Sequence, residues 1–444
     1  MQALAVAPSD TAPRADERAG SGRLYAGAVY LWTGAAGSAL AGFAFWAMAT
    51  RLYAPQQIGL GAAGLSALSL IAMMSHLGLG LGLIRFAPER GRDAPRLVNA
   101  ALTAGALVAV LCAAVFLVGL PVWAPRLAFL REQPLYAVAF VSFAAAGAVS
   151  TMQAQALMAC RKAAYVPLQI GAVQLVRLAL PPLLAVFFGA FGIIAAGGIS
   201  LGLGALAGFA LLGLALPGYR PRPLLDRRPV LELLPFSAAN YAADMLLLAP
   251  GLLLPLLVVG LSGAVEGGYF YTAWFLAYLL TAVSANVALS LFAEASRDRA
   301  ALDGLSRSAA RAALAVAVAG AVVLVLAGDK LLLAFGADYA REGAGLLRLV
   351  ALAAIPAAIV NVYLGALRAA GRIAELVAIA AVVAATSLGL SVALLPVAGI
   401  EGAGVAQLAG QGAGAVIVAG RLVRAESSLG QRVRWLLVAL VARC

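Results

Sequence analysis

The 444 residues of this chain are 64% hydrophobic and only 11% charged, and the mean hydropathy is +0.98. Soluble domains carry roughly 25% charged residues, so this composition excludes a soluble enzyme and a disordered protein. The formal charge of +12 therefore indicates which loops of a membrane protein face the cytoplasm, and we expect no nucleic-acid partner.

Apolar runs long enough to cross a bilayer, which takes about 20 residues, recur along the whole chain. The first half supplies 24–50, 52–84, 97–125, 133–160 and two crossings within 163–219 that turn at Gly189–Gly192. The second half supplies 236–265, 267–293, 312–328, 349–367, 376–400 and 402–420. The sequence thus predicts an all-α integral membrane protein with twelve transmembrane helices in two six-helix bundles.

The loops between these runs predict the orientation. With the N-terminus inside, the loops and tails on that side hold 24 Lys and Arg, against 5 on the opposite side, so we expect both termini in the cytoplasm. Residues 1–23 lack the apolar core of a signal peptide, and 433–442 suits a short interfacial helix. The predicted divisions are a cytoplasmic tail 1–23, an N-terminal bundle 24–216, a cytoplasmic linker 217–230, a C-terminal bundle 231–421 and a cytoplasmic tail 422–444.

A weak internal repeat relates the two halves. Residues 156–164 parallel 366–374, and the Gly189, Gly192 and Ala196 pattern recurs 210 positions later. Residues 86–87 parallel 292–293 at a spacing of 206. Two copies of a six-helix unit in the same orientation are typical of transporters with a central cavity.

Charged side chains inside a span cost at least about 2.5–3.5 kcal/mol each, so they mark candidate functional sites. Arg177 lies in helix five with Gln174 one turn earlier, and its guanidinium suits bidentate binding of a phosphate group. Asp244 lies in helix seven with Asn240 one turn earlier. Asp244 either binds a proton or sodium ion, or pairs with Arg177 only to hold the two helices together.

Other polar positions within spans have two interpretations each. His76 couples transport to protons or forms an interhelical hydrogen bond. Asn286 and Asn361 bind substrate or join helices, as do Gln407 and Gln411. Three cysteines and one histidine leave too few ligands for a disulfide framework or a structural metal site, so we expect no metal and no cofactor.

Two local patterns have structural explanations. Residues 59–64 match the dinucleotide fingerprint GxGxxG, but without a βαβ unit we interpret these glycines as helix-packing positions. The aromatic residues at 269–274 are expected to form an aromatic belt at the outer face of the membrane.

Four segments of the chain resemble oligosaccharide flippases. RLYAPQQIG at 51–59 and GLGLIRF at 80–86 are similar to the first helical hairpin of this family, and LAFGADYA at 333–340 and GIEGAG at 399–404 are similar to its second half. These are the Wzx-like polysaccharide-biosynthesis exporters of the multidrug/oligosaccharidyl-lipid/polysaccharide (MOP) superfamily.

The resemblance implies a non-enzymatic flippase of the cytoplasmic (inner) membrane with a cationic central cavity. It would move a polyprenyl-pyrophosphate-linked oligosaccharide for polysaccharide biosynthesis by alternating access. Its partners would be that lipid-linked substrate, membrane lipids, and a polysaccharide polymerase with its chain-length machinery. Relatives often carry an acid in helix seven where this chain has Leu253, Leu254 and Pro255, so no ion-coupling residue is transferred from them.

The alternative is a drug or cation antiporter of the same superfamily. It would share the fold, but cationic substrates favour buried acids, and Asp244 is the only acid deep in a predicted span.

Overall fold

The computed structural model describes residues 37–160, 162, 164–295 and 302–424. The predicted tail 1–23, the apolar stretch 433–442 and the beginning of predicted helix one lie outside the described residues. The described part is helical, with short 3-10 turns at Pro88–Asp93 and Pro125–Leu127. In chain order the helices are α1 (37–52), α2 (Pro55–Ser75), α3 (Leu79–Phe86), α4 (Ala94–Trp123), α5 (Phe129–Glu132), α6 (Pro134–Ala159), α7 (Tyr165–Ala179), α8 (Pro181–Ala215), α9 (Arg227–Leu261), α10 (Ala264–Ala295), α11 (Leu302–Leu332), α12 (Ala337–Ala369) and α13 (Ile373–Arg424).

Nine helical segments in the described ranges are long and apolar enough to cross a membrane by length and composition. A bilayer offers no hydrogen-bond partner to the backbone, and a helix satisfies its own amides and carbonyls. The all-helical membrane architecture expected from the sequence is therefore confirmed.

Two of the longest helices, α8 and α13, reverse direction at a glycine. Gly189 has a φ angle of 48° and Gly399 one of 56°, in the left-handed region that a Cβ disfavours. A Cβ on Gly192 would lie 2.9 Å from the Leu184 carbonyl oxygen, whereas residues eight apart in a straight helix are about 12 Å apart. The turn predicted at Gly189 is thus confirmed, and the equivalent close contact at Gly402 places the same turn at Gly399.

The repeat is also visible in how helices approach each other. The side chain of Val173 packs onto Gly204, and Val383 packs in the same way onto Gly414. The two valines are 210 positions apart, as are the two glycines. Each copy therefore uses a glycine at the same place to bring two helices close together.

The predicted helix over 52–84 is divided in the structure. It is interrupted between Ser75 and Leu79, where Leu77 has a φ angle of 46° and Gly78 one of 74°. Consecutive left-handed residues cannot continue a right-handed helix. Tyr241 of α9 donates its hydroxyl to the Met74 carbonyl at 2.9 Å and so satisfies a backbone group that the break sets free.

The two halves meet where α2 and α10 begin. A Cβ on Gly59 would overlap the Ala264 carbonyl oxygen, and Gly268 is equally close to the backbone of α2. Gly61 and Gly64 pack onto α8 instead. The glycines of 59–64 are therefore helix-packing positions, as interpreted from the sequence, and the contact of Gly59 with α10 joins the two halves at this end.

The other end carries ion pairs between the halves. Arg96 at the start of α4 donates to Asp226 at 2.6 Å, and Arg90 pairs with Glu232 of α9. The Asp226 carboxylate also accepts the Arg228 amide at 3.2 Å, which caps the helix. This cap begins α9 at Arg227, inside the predicted linker 217–230.

The aromatic residues at the start of α10 do not form a lipid-facing belt, so that expectation is wrong. Phe270 and Trp274 are buried in a hydrophobic cluster that draws residues from both halves, including Trp46 of α1. This face of α10 is turned towards its neighbouring helices, where burial removes more apolar surface than a membrane interface would.

Candidate functional site

A cavity with two lobes lies between the halves. The first lobe encloses about 630 Å³ and is lined by α2, α3, α6, α7 and α8 with α9 and α10. The second lobe encloses about 410 Å³ and is lined by α9, α10, α12 and α13. The two lobes are continuous, because both are lined by Asp244, Leu248, Gly251, Trp274 and Tyr278. Their volumes are in the range of ligand-binding pockets.

Arg177 lies in the first lobe, and the local sequence explains its place. Pro181 has no amide hydrogen and opens α8, so α7 ends at Ala179 with Arg177 in its last turn. The C-terminal end of a helix carries the negative pole of the helix dipole, which stabilises a cation. The chain thus places a positive charge in the cavity wall, with no ion-pair partner among the described residues.

The guanidinium of Arg177 has an aromatic neighbour and a free donor. Its Cζ lies 4.3 Å from the ring centroid of Phe45, a cation–π distance. Its Nε is buried with no hydrogen-bond partner in the described part of the chain. The structure shows no pairing with Asp244, so the interpretation of Arg177 as that residue's ion-pair partner is wrong.

Asp244 pairs instead with an arginine that sequence reasoning missed. Arg368 Nη2 donates to Asp244 Oδ1 at 2.5 Å, and both residues line the second lobe. The sequence assigned Arg368 to a cytoplasmic loop after position 367, whereas α12 continues to Ala369. Its spacing of seven residues from Asn361 places both on one helix face, a signal that could have identified it.

The other predicted site residues divide into those inside the cavity and those outside. His76 lines the first lobe at the helix break, and its Nε2 has no hydrogen-bond partner among the described residues, so the interhelical hydrogen bond is absent there. Gln174 donates to the Ser38 carbonyl at 3.1 Å, which joins α7 to α1 outside the cavity. Asn240 is half-buried on α9 and lines neither lobe.

The second lobe collects most of the predicted amides. Asn286 and Asn361 line it together with Gln407 and Gln411. Asn361 Nδ2 donates to Ser284 Oγ at 3.0 Å. Residues far apart in sequence, on α10, α12 and α13, therefore form one polar surface.

The two lobes differ in charge. Among the described lining residues the charged side chains are Arg177, Asp244 and Arg368. Asp244 and Arg368 neutralise each other, which leaves Arg177 as an unpaired positive charge. A cavity with a positive wall and low-dielectric surroundings attracts anions.

The sequence matches no protein-family model, and no curated protein matches it significantly. Solved structures do match over most of the chain. An inward-facing multidrug resistance MATE transporter of the MOP superfamily has 13% identity, a TM-score of 0.68, and coverage of 88% of this chain and 96% of its own. The lipid II flippase MurJ, in an inward closed conformation, has 9% identity, a TM-score of 0.71, and coverage of 90% and 87%.

A third similar structure is a MOP superfamily transporter from Pyrococcus furiosus, described as having a binding pocket of reverse polarity. It has 14% identity, a TM-score of 0.57, and coverage of 91% of this chain and 95% of its own. At these identities the likeness concerns the fold. The chain has the fold of MOP superfamily transporters.

Proposed function

We propose that this chain is a flippase of the cytoplasmic membrane that moves a polyprenyl-pyrophosphate-linked oligosaccharide for polysaccharide biosynthesis. The observation that carries this proposal is Arg177 in the wall of the central cavity, which has no ion-pair partner within the described ranges. The fold, the two repeated halves and the cavity between them support a transporter that works by alternating access.

A pyrophosphate suits the surroundings of Arg177. A pyrophosphate with about two negative charges loses its hydration as it enters the cavity. A guanidinium replaces that hydration through two parallel charge-assisted hydrogen bonds. The Arg177 side chain lines the first lobe, and its Nε has no hydrogen-bond partner among the described residues. Lysine offers only a compact point charge and does not match this geometry.

The close contact between the halves at Gly59 and Gly268 supports a direction of transport. With both termini in the cytoplasm, as the loop charges favour, the contact between α2 and α10 is at the outer face, and the cavity receives its substrate from the inner leaflet. A polysaccharide polymerase and its chain-length machinery would then use the product at the outer face.

The cation antiporter is the second candidate, and Asp244 is the observation in its favour. Its carboxylate already accepts a hydrogen bond from Arg368, so a cationic substrate would have to displace a guanidinium. We retain Asp244 and His76 as proposed ion-coupling residues, since both line the first lobe beside Arg177.

The test measures polysaccharide export in cells at matched membrane levels of each variant. Arg177→Ala should abolish export, and Arg177→Lys should keep only a small part of it. Arg348→Ala is the matched control, because Arg348 is an exposed arginine of α12 that lines neither lobe. Normal export by Arg177→Ala together with a new sensitivity to cationic drugs would select the antiporter instead.

A further inference from the structure

The two lobes of the cavity use equivalent positions of the repeat. Asn361, Gln407 and Gln411 line the second lobe. The residues 210 positions earlier are Thr151, Gly197 and Leu201, and all three line the first lobe. The lobes are therefore two copies of one wall in which the side chains have diverged.

At these three positions the second lobe carries amides where the first lobe does not, although Gln155 also lines the first lobe. Three amides in the second lobe stand where the first lobe has a hydroxyl, a glycine and a leucine. Conversely, the position equivalent to Arg177 is Ser387, which is fully buried and does not line the second lobe. At these positions the first lobe carries a cation, and the second carries groups that donate and accept hydrogen bonds without net charge.

One of these amides is buried without a partner. Gln407 is 9% exposed, and its Oε1 has no hydrogen-bond partner within the described part of the chain. A buried acceptor without a donor costs free energy, and native proteins satisfy nearly all such groups. The side chain lines the lobe, so a ligand hydroxyl that reached Oε1 after a small side-chain rotation would supply the missing donor.

The remaining wall of the second lobe also suits a neutral, hydroxyl-rich ligand. Its charged residues, Asp244 and Arg368, are occupied by each other at 2.5 Å. Trp274 and Tyr278 line both lobes, and an aromatic ring presents an apolar face with a polar edge. A sugar ring has the same combination of C–H faces and polar hydroxyl edges.

We infer that the second lobe is a saccharide subsite, in which the side-chain amides of Asn361, Gln407 and Gln411 bind neutral sugar hydroxyls. This inference rests on the proposed function, because the pyrophosphate on Arg177 in the first lobe would direct the attached glycan into the continuous second lobe. The two parts of one substrate are thereby recognised by the two halves of the protein.

The test compares two lipids that differ only in the sugar. Full-length protein in lipid nanodiscs is titrated with undecaprenyl diphosphate and with undecaprenyl diphosphate carrying a neutral disaccharide. Gln407→Leu should weaken binding of the disaccharide lipid by about tenfold or more, because a site built around a hydroxyl loses most of its discrimination with the partner group. Binding of the bare diphosphate lipid should stay within about twofold of the unmodified protein.

Thr151→Val is the control, since it removes a hydrogen-bonding group from the first lobe, at the position equivalent to Asn361. The Thr151→Val variant should change the affinity for both lipids to the same extent. If Gln407→Leu fails to fold, which loss of its thermal unfolding transition would reveal, Gln411→Met makes the same comparison at a less buried position of the lobe.

Equal loss of both lipids in a folded variant, or equal binding of both lipids by the unmodified protein, would overturn the saccharide subsite. A different result would show that the proposed flippase function is wrong. In that case Arg177→Ala would leave the affinity for the bare diphosphate lipid unchanged, whatever the amide variants do.

Discussion

The first half joins its helices with neutral amides, and the second half uses ion pairs at related places. Gln169 donates to Gln153 Oε1 and to the Gly204 carbonyl, each at 3.2 Å, which ties α7 to α6 and α8. The equivalents of Gln153 and Gln169, 210 positions later, are Tyr363 and Ile379.

In the second half Ile379 is buried in a hydrophobic cluster. Tyr363 donates to Glu375 at 3.1 Å, and Glu375 also pairs with Arg372 and Arg421. The repeat thus preserves where helices meet, while the chemistry of each contact is free to change. This freedom is what allows one lobe to hold an unpaired cation and the other a set of amides.

The largest expected difference between the halves is the effect on stability of removing Arg177 or Arg368. Arg368→Ala should lower stability by about 1.5–3 kcal/mol, because it removes a charge-assisted hydrogen bond and leaves Asp244 without its partner. Arg177→Ala should leave stability unchanged or raise it, because it removes a cation that has no ion-pair partner. The measurement is the thermal unfolding midpoint of purified protein in detergent.

The double variant Arg368→Ala with Asp244→Ala is the control for this contrast. It should recover most of the lost stability, since neither charge is then stranded. A similar loss in Arg177→Ala would show that Arg177 is a structural arginine and that the two halves do not differ in this way.

The contact between the halves should be nearly as sensitive. Gly59→Ala should destabilise the protein by about 1–3 kcal/mol or more, because the added Cβ meets the Ala264 carbonyl and backbone cannot rotate away as a side chain can. Gly260→Ala is the matched control on α9, where no atom lies within 4 Å of the added Cβ. Thermal unfolding of both variants checks this, and equal midpoints would contradict the close approach of α2 and α10.

Exchanging the equivalent core residues Gln169 and Ile379 tests how the helix–helix contacts of the two halves differ. Gln169→Ile gives the first half the residue of the second and should cost about 1–3 kcal/mol, because it leaves Gln153 Oε1 without a donor. Ile379→Gln should also destabilise, because it buries an amide among apolar side chains. Unfolding midpoints measure both, and a neutral Gln169→Ile would mean that the amide contacts contribute little.

The smallest expected effect concerns the break between α2 and α3, since α10 runs unbroken through the equivalent part of the second half. Leu77→Gly should raise stability by up to about 1 kcal/mol, because glycine adopts the left-handed conformation without a Cβ clash. Met74→Gly is the control, an exposed residue in the last turn of α2, and should lower stability by about 0.5–1 kcal/mol. A loss of stability in both variants would contradict strain at Leu77.

Much of the site was predictable as a set of residues but not as a set of contacts. The sequence identified Arg177, Asp244, His76, Asn286 and Asn361, and all five line the cavity. Their polarity within apolar runs is a local signal, because an uncompensated polar group in a bilayer is costly wherever the helix packs.

The contacts of each polar side chain were not predictable from its position within an apolar run. Gln174 is one turn from Arg177 in sequence, yet it contacts α1. Arg368 looked like a loop residue, because hydropathy does not show how far a helix continues beyond its apolar run. The pairing of Asp244 joins residues 124 positions apart, and no helical periodicity relates such distant positions.

By itself the sequence determined the membrane setting, the location of the apolar runs, the turn at Gly189 and the repeat. These follow from composition, from the length that spans a bilayer and from short glycine patterns, each readable within one segment. Only the tertiary structure decided that Arg177 has no ion-pair partner among the described residues, that Asp244 binds Arg368 and that the amides share one lobe. Those facts depend on the rotation and packing of helices from distant parts of the chain, where the burial of each polar group is settled by its neighbours in space.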